Sequence, residues 1–427
     1  MKYSSLAFMT SRIILGKLDR KHDLAKKAVR GAMLSVAISM IPLIIVMHIA
    51  NSMMYGIVQR LIELDSYHLQ LQPVGSQVFS TSDIEKLTTI EHITYAQPEI
   101  RSYGILFANA LYEGVSIRAV TNDFFQEPAV KKFLRTMPQN LQFNSTKEII
   151  IGEALAQKLS LHIGDTVTLI TATQSSFDNF FPRFSLFIVK GIASSGYQPL
   201  DGQWIFMSQS AIQRVTSKTN QQLFIGIKTD IPTENLEILE NTIADTIQGT
   251  YRIYNWKQLN KTMSDSLQST RTLLIIIMSI TVIVAAINIL SSLRMMILEK
   301  STEFAILQCI GIQPNDFTAF LFFSGIIIGF LGSIAGIIPG LLLSRFINEI
   351  FLAVNFIIGI FKTIIGQGHQ GTSLLDPTYY LDRIPVIILW KDVITVIIVT
   401  SVLSGMVAMV SVREIVRKKP IETIRQR

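Results

Sequence analysis

Four stretches of the chain hold no Asp, Glu, Lys or Arg: Ala32–Met54, Thr272–Leu293, Phe317–Ser344 and Val393–Val412. Each has about the ~20 residues that an α-helix needs to cross a ~30 Å hydrocarbon core, so the pattern predicts four transmembrane helices. A further apolar run, Phe351–Phe361, is 11 residues long, too short to span, and reads as interfacial or re-entrant. Between the first two spans the pattern changes. Glu148–Gly152 reads as a buried strand, Glu153–Leu159 as a helix, Gly164-Asp165 as a turn and Thr166–Ile170 as an alternating strand, with further helices at Thr81–Leu87, Ser208–Val215 and Leu236–Ile247. The 217 residues from 55 to 271 are enough for a folded domain. The expected fold class is an integral membrane α-helical protein of four transmembrane helices, with a large α+β extracytoplasmic domain inserted between helices 1 and 2. Polar Ser264–Arg271 suits a helical stalk that extends the second span outward.

Composition agrees: 49% hydrophobic residues, 16% charged and a mean hydropathy of +0.40 exclude a disordered or purely soluble chain. The single cysteine, Cys309, rules out an internal disulfide and a cysteine-based metal site. The basic lead into the first span resembles a secretory signal, but the apolar run is too long and no small-residue cleavage pattern follows, so a retained anchor is expected. Residues 1–31 read as a basic amphipathic segment on the membrane surface or a solvated basic tail.

The net charge of +7 resolves into topology. Residues 1–31 carry eight Lys/Arg against two Asp/Glu, residues 413–427 six against two, and residues 55–271 eighteen against twenty. The positive-inside rule puts both termini in the cytoplasm and residues 55–271 outside. The expected layout is therefore 1–31 cytoplasmic, 32–54 helix 1, 55–271 outer domain, 272–293 helix 2 and 294–316 cytoplasmic loop. It continues with 317–344 helix 3, 345–392 outer loop, 393–412 helix 4 and 413–427 cytoplasmic tail. No nucleic-acid partner is called for.

Within the spans, His48 is the one ionisable side chain, which argues against a proton or ion relay and for an interhelical hydrogen bond. Gly325, Gly329, Gly332, Gly336 and Gly340 form overlapping GxxxG spacings that favour close helix packing. Met33, Met40, Met47 and Met54 recur every seven residues, so Met40, Met47 and Met54 are candidates for a lipid or substrate cavity, with ordinary packing as the alternative. In the loop after the second span, Ser301 can cap a short helix, Glu303 suits its first turn, and Gly311 and Pro314 end it. Phe304, Ile306, Leu307 and Ile310, with Glu299, Lys300 and Glu303 at the start, make a helix that docks on a partner or lies in the interface. Between the expected strands, residues 174–183 contain Phe177, Phe180, Phe181, Pro182 and Arg183, which suit a binding tip or rings folded on their own hairpin. No phosphate loop, HExxH or GxSxG motif is present, so catalytic and metal residues are expected to be none and energy must come from another subunit.

The stretches Val284–Leu293, Met296–Lys300 and Glu303–Ile312, the glycine-rich third span, the closing Lys419–Arg425, and Ile151–Ala156 followed by Leu161–Asp165 together resemble the permease subunits of the lipoprotein-releasing ABC transporter. These are the LolC/LolE kind, relatives of the MacB-type mechanotransmission permeases. The first span departs at Ser39-Met40-Ile41-Pro42, where small residues are usual. The resemblance implies a non-catalytic subunit of the bacterial inner membrane, paired with a second permease (a paralogue or itself) and a cognate ABC ATPase dimer that binds ATP and Mg; this chain binds no cofactor. It implies extraction of lipoproteins among membrane lipids and delivery to a periplasmic carrier, a coupling helix at Ser301–Ile310, and a carrier-holding hook at Phe177–Arg183. The alternatives are a MacB-like exporter of drugs, toxins or peptides from the periplasm, and a non-transporting signalling or cell-division permease.

Overall fold

The structure, a computed structural model, describes residues 23–75, 79–139, 141–174, 180–230, 235–247, 251–299, 314–365 and 387–416. The chain forms two compact units. One takes in Met1–Ser52, Gln268–Val354 and Pro385–Arg427, the other Met53–Leu267 and Asn355–Ile384.

Among the described residues four helices are long and apolar enough to cross a membrane, and an α+β domain lies between the first and second in chain order. The long helices run Asp23–Arg60, Lys261–Glu299, Pro314–Arg345 and Trp390–Val416. They outlast the apolar runs because a helical backbone satisfies its own hydrogen bonds in water and in lipid alike. Ile347–Ile365 is a fifth, 19-residue helix, so the expected loop 345–392 is helical over its first part and the short apolar run is one piece of a longer element. In the helical unit Val36, Met40 and Ile44 pack with Ala285, Leu321, Ile328 and Ala408. The glycine stripe of the third helix faces two neighbours. A Cβ on Gly325 or Gly329 would strike Ser404 or Ala408 of the fourth helix, and one on Gly332, Gly336 or Gly340 would strike Val36, Ala37 or Ile44 of the first.

Among the described residues of the outer unit ten strands form one sheet: β1 Leu69–Pro73, β2 Ile93–Ala108, β3 Leu111–Val120, β4 Arg135–Met137, β5 Glu148–Gly152, β6 Thr166–Gln174, β7 Phe180–Ser194, β8 Trp204–Ser208, β9 Gln222–Thr229 and β10 Tyr251–Asn255. Their order is β10-β1-β9-β2-β3-β8-β5-β7-β4, and β6 bridges β2 to β7. The pairings β2-β3-β8-β5-β7-β6-β2 therefore close a six-stranded ring, which leaves those strands few free edges. Leu106, Ile117, Ile149, Ile151, Leu169, Phe187 and Ile205 are buried in its core. Of the remaining strands, β4 pairs with β7 outside the ring, and β10, β1 and β9 share a second core with the helices Thr81–Thr89 and Leu236–Thr246. Local signals set these elements. Ser80 and Asp83 form a capping box ahead of the first of those helices, and the Ser208 hydroxyl accepts from the Ala211 amide at 3.3 Å to start Gln209–Val215.

The expected 174–183 loop is shorter than the sequence suggests. β6 runs on to Gln174 and β7 begins at Phe180, with Ala172 opposite Pro182 and Gln174 opposite Phe180. Extension of the ladder satisfies backbone groups that a long loop would leave to water.

Asp201 is buried and accepts the Ser195 amide on both carboxylate oxygens, at 2.8 and 3.0 Å. Burial nevertheless pushes its carboxyl up to about 6 from 3.8. A raised carboxyl contributes stability that is complete below its unfolded value and lost as pH rises through the folded one. Between pH ~4 and ~6.5 the outer domain is thus expected to lose about 3 kcal/mol from this residue, the equivalent of roughly two pKa units. Denaturant midpoints of the wild type and Asp201→Asn across that range check this; parallel pH profiles would refute it.

Candidate functional site

The helical unit contains an apolar cavity of about 620 Å³ between its first, second and fourth long helices. Its walls are Leu43 and Met47 of the first helix, Leu274, Met278 and Val282 of the second, and Val396, Val399 and Leu403 of the fourth. Asn51, Arg271 and Asp392 also line it, as do Ser279 and Thr395, whose hydroxyls donate to the Ile275 and Lys391 carbonyls of their own helices. The first helix runs opposite to the second and fourth if the chain threads the membrane in order, so Asn51, Arg271 and Asp392 gather at one end and the aliphatic residues at the other. Asn51 Nδ2 donates to Asp392 Oδ2 at 2.6 Å, and the Ser52 hydroxyl lies 3.3 Å from both the amide and the carbonyl of Ile387. A concave apolar body with a few convergent polar groups at one rim fits an amphiphile, and the volume lies inside the ~300–1,000 Å³ usual for ligand sites.

Of the methionines expected to face a cavity, Met47 lines this one. Met40 is fully buried instead, in contact with the Gly336 position and within 3.8 Å of the Thr400 hydroxyl, and Met54 is absent from the wall. The seven-residue period placed them on one stripe, but only the helix neighbours decide what the stripe meets. His48, expected to bridge helices, is buried with no hydrogen-bond partner for Nε2. Among the described residues no group of three His, Cys, Asp or Glu could hold a metal ion.

In the outer unit, the β6–β7 hairpin carries an apolar surface on the outside of the strand ring. Phe184, Leu186 and Ile188 of β7 are exposed, as are Tyr103, Ile105 and Phe107 of β2 and Tyr112 of β3. The registers make these positions contiguous: Tyr112 lies opposite Phe107, Phe107 opposite Thr168, and Thr168 opposite Leu186; Ile105 lies opposite Ile170, and Ile170 opposite Phe184. No charged side chain occupies these positions, and an exposed apolar patch of this extent on a water-facing domain marks an interaction surface. Phe181 is 57% exposed, and Pro182 and Arg183 are exposed beside it. Phe180 begins the strand, while Phe177 lies outside the described residues. The sequence singled out the hairpin tip and missed the sheet face. Its signal was there: Ile105-Leu106-Phe107 and Phe184 to Ile188 are apolar at both parities, whereas a strand with one face in water should alternate.

At the other end of β2 and β3 the outer face of the same strands is covered. The first long helix widens at Leu61–Ser66 into a π-helical turn. Buried Arg118 donates to both oxygens of Glu99 at 2.8 Å, and also to the Leu64 carbonyl. Its guanidinium sits over the rings of Phe124, Trp204 and Phe206 at 5.1–5.2 Å. Arg101 joins Glu99 at 2.7 Å and Asp65 at 3.3 Å, and the Tyr67 hydroxyl donates to Glu99 at 2.7 Å. Burial alone would raise the Glu99 carboxyl, but Arg101 and Arg118 outweigh it and hold the group at about 2. Lys228 pairs with Glu63 at 3.2 Å and Glu127 at 2.8 Å. Charge-assisted bonds therefore fix the end of the first helix to the outer domain.

The loop expected to couple to a partner lies mostly outside the described residues. Lys300, Glu303, Phe304, Ile306, Leu307 and Ile310 all do, and Glu299 is the last residue of the second long helix.

Residues 31–243 match the MacB-like periplasmic core domain and residues 275–420 the FtsX-like permease C-terminal region. Two relatives from Xylella fastidiosa are named lipoprotein-releasing system transmembrane protein LolC. The strain 9a5c protein is 24% identical over 65% of this chain and 64% of its own length; the strain Temecula1 protein is 21% identical over 92% of this chain and 93% of its own. The transmembrane protein LolE of the same system in Haemophilus influenzae is 23% identical over 66% of this chain and 65% of that protein. The chain thus spans about two-thirds of the length of some relatives and nearly all of another.

Proposed function

The chain belongs to the LolC/LolE family of MacB-like permeases, and from that membership we propose that it is the permease subunit of an ABC transporter that releases lipoproteins from the bacterial inner membrane. ATP hydrolysis takes place in a separate ATPase, and a second permease, a paralogue or another copy, completes the membrane part. The observation that carries this reading is the 620 Å³ apolar cavity with Asn51, Arg271 and Asp392 at one end. Acyl chains of a lipoprotein fit its aliphatic body, and the polar head of the lipid fits its rim. In this reading both termini are cytoplasmic, and the segment 301–310 docks on the ATPase through Phe304 and Leu307.

Reconstitution in proteoliposomes with the ATPase and the second permease tests the function. Lipoprotein-stimulated ATP hydrolysis is expected; an equal rate with and without lipoprotein overturns the substrate assignment. In the same system Phe304→Asp with Leu307→Asp is expected to lower stimulated hydrolysis by about tenfold, the effect of ~1.4 kcal/mol at the docking site. Intact assembly with unchanged stimulation would remove the coupling assignment.

Release ends, in this proposal, with transfer to a periplasmic carrier held at the β6–β7 hairpin and the apolar face beside it. Phe184→Asp with Leu186→Asp is expected to weaken carrier capture by about tenfold or more, as loss of apolar anchors does at other interfaces. Both side chains are about two-thirds exposed, at 66% and 65%, so the melting of the domain should not change. Carrier capture at the wild-type level by this variant would return the face to a structural role.

A further inference from the structure

The Ile347–Ile365 helix is built inside out for water. Leu352, Phe356, Ile357 and Ile360 are 70%, 70%, 62% and 48% exposed. Spaced at i, i+4, i+5 and i+8, they form one face. Asn348 and Asn355, seven residues apart and so on a common stripe, are half-buried and engaged by the protein. The two amides thus lie on the covered side together with Ile347, Phe351, Val354 and Ile358, while beyond Glu349 the exposed side is made of apolar groups. Such an arrangement is stable where the surrounding solvent is hydrocarbon, because there the amides need partners and the aliphatic face does not need covering.

Position in the chain says where that hydrocarbon is. The third long helix ends at Arg345, and the new helix begins two residues later with Glu349 exposed in its first turn. Charged residues mark the membrane boundary, as do Trp390 and Lys391 where the fourth long helix begins. At 19 residues the helix is about 28 Å long, enough to span. A crossing would invert the fourth long helix and carry residues 413–427, six Lys/Arg against two Asp/Glu, to the outer side against the positive-inside bias.

We propose that the Ile347–Ile365 helix is a membrane-immersed arm of the outer leaflet, whose Leu352–Phe356–Ile357–Ile360 face is covered by phospholipid acyl chains. It enters at Arg345, stays in that leaflet and does not cross. Its partner is the lipid monolayer itself, so the face is permanently solvated by lipid.

The full chain with Cys309→Ser as background, reconstituted in phosphatidylethanolamine/phosphatidylglycerol vesicles alone and with its co-purified subunits, supplies the test. Single cysteines at 352, 356, 357 and 360 carry a nitroxide, and collision rates with oxygen and with a water-soluble nickel chelate are measured. Glu237→Cys in the outer domain is the water reference and Ile280→Cys in the second long helix the lipid reference. The oxygen-to-nickel ratio at the four positions is expected to exceed that at 237 severalfold, to approach that at 280, and to report one shallow depth in the outer leaflet. A ratio like that at 237 would place the face in water and overturn the proposal. Protection from both reagents in the assembled complex would mean that a second subunit covers it, and depths advancing into the inner leaflet would mean a span; either result also overturns it.

Discussion

Arg118→Met is expected to destabilise the outer domain by about 3–5 kcal/mol, the cost of leaving a buried charge without its partner. Arg118 is fully buried and Glu99 nearly so, and the pair is bidentate at 2.8 Å. The carboxylate would keep Arg101 and the Tyr67 hydroxyl but lose its second guanidinium, and the Leu64 carbonyl would lose its donor. Because a domain of this size shifts by roughly 2–4 °C per kcal/mol, the melting transition of the outer domain in the detergent-solubilised chain should fall by about 6–20 °C. Combining Arg118→Met with Glu99→Leu should recover part of the loss, since exchanging a buried pair for apolar side chains is often neutral or better. A transition unchanged in the single variant would show that the ion pair does not hold the end of the first helix.

The second large effect is expected in the membrane. A Cβ on Gly336 would clash with the Ala37 carbonyl oxygen and lie 2.7 Å from the Met40 Cβ. The carbonyl is backbone and cannot rotate aside, so Gly336→Leu must push the first and third helices apart. Overpacking costs typically ~1–3 kcal/mol and more where backbone has to move. Gly336→Leu is therefore expected to cost at least ~3 kcal/mol and to halt assembly with the other subunits. Gly31→Ala, with nothing within 4 Å of its Cβ, serves as the matched control and should be neutral or slightly stabilising, because alanine is the better helix former. Yields of the monodisperse complex and its thermal transition distinguish the two; equal behaviour of both variants would show that the close approach is not required.

Much of this was legible in the sequence wherever one residue type in one local pattern settles the matter. The charge-free runs around Ile44, Ile280, Ile328 and Ile398 required helices, since lipid offers the backbone no other partner. Short-range chemistry at Ser80, Asp83 and Ser208 set helix starts. The Phe177–Arg183 segment stood out by composition, but its strand ends did not, because how far the β6–β7 ladder runs past Ala172 and Pro182 depends on pairing across the turn and not on the composition of either strand. Pairings such as Glu99 with Arg118, or Asn51 with Asp392 across 341 positions, leave no local trace. A charged residue in a strand reads as exposed until the opposing charge is known.

The sequence by itself determined which segments live in lipid and which in water, because transfer free energy belongs to each residue and sums along the chain. Only the tertiary structure decided which faces those segments turn to one another. It put Met47 on the cavity wall and Met40 in the packing, buried Arg118 while leaving Tyr112 bare, and turned Leu352 and Phe356 outward. The reason is that burial is a property of neighbours, and neighbours are fixed by long-range register and close packing, which no local window of sequence contains.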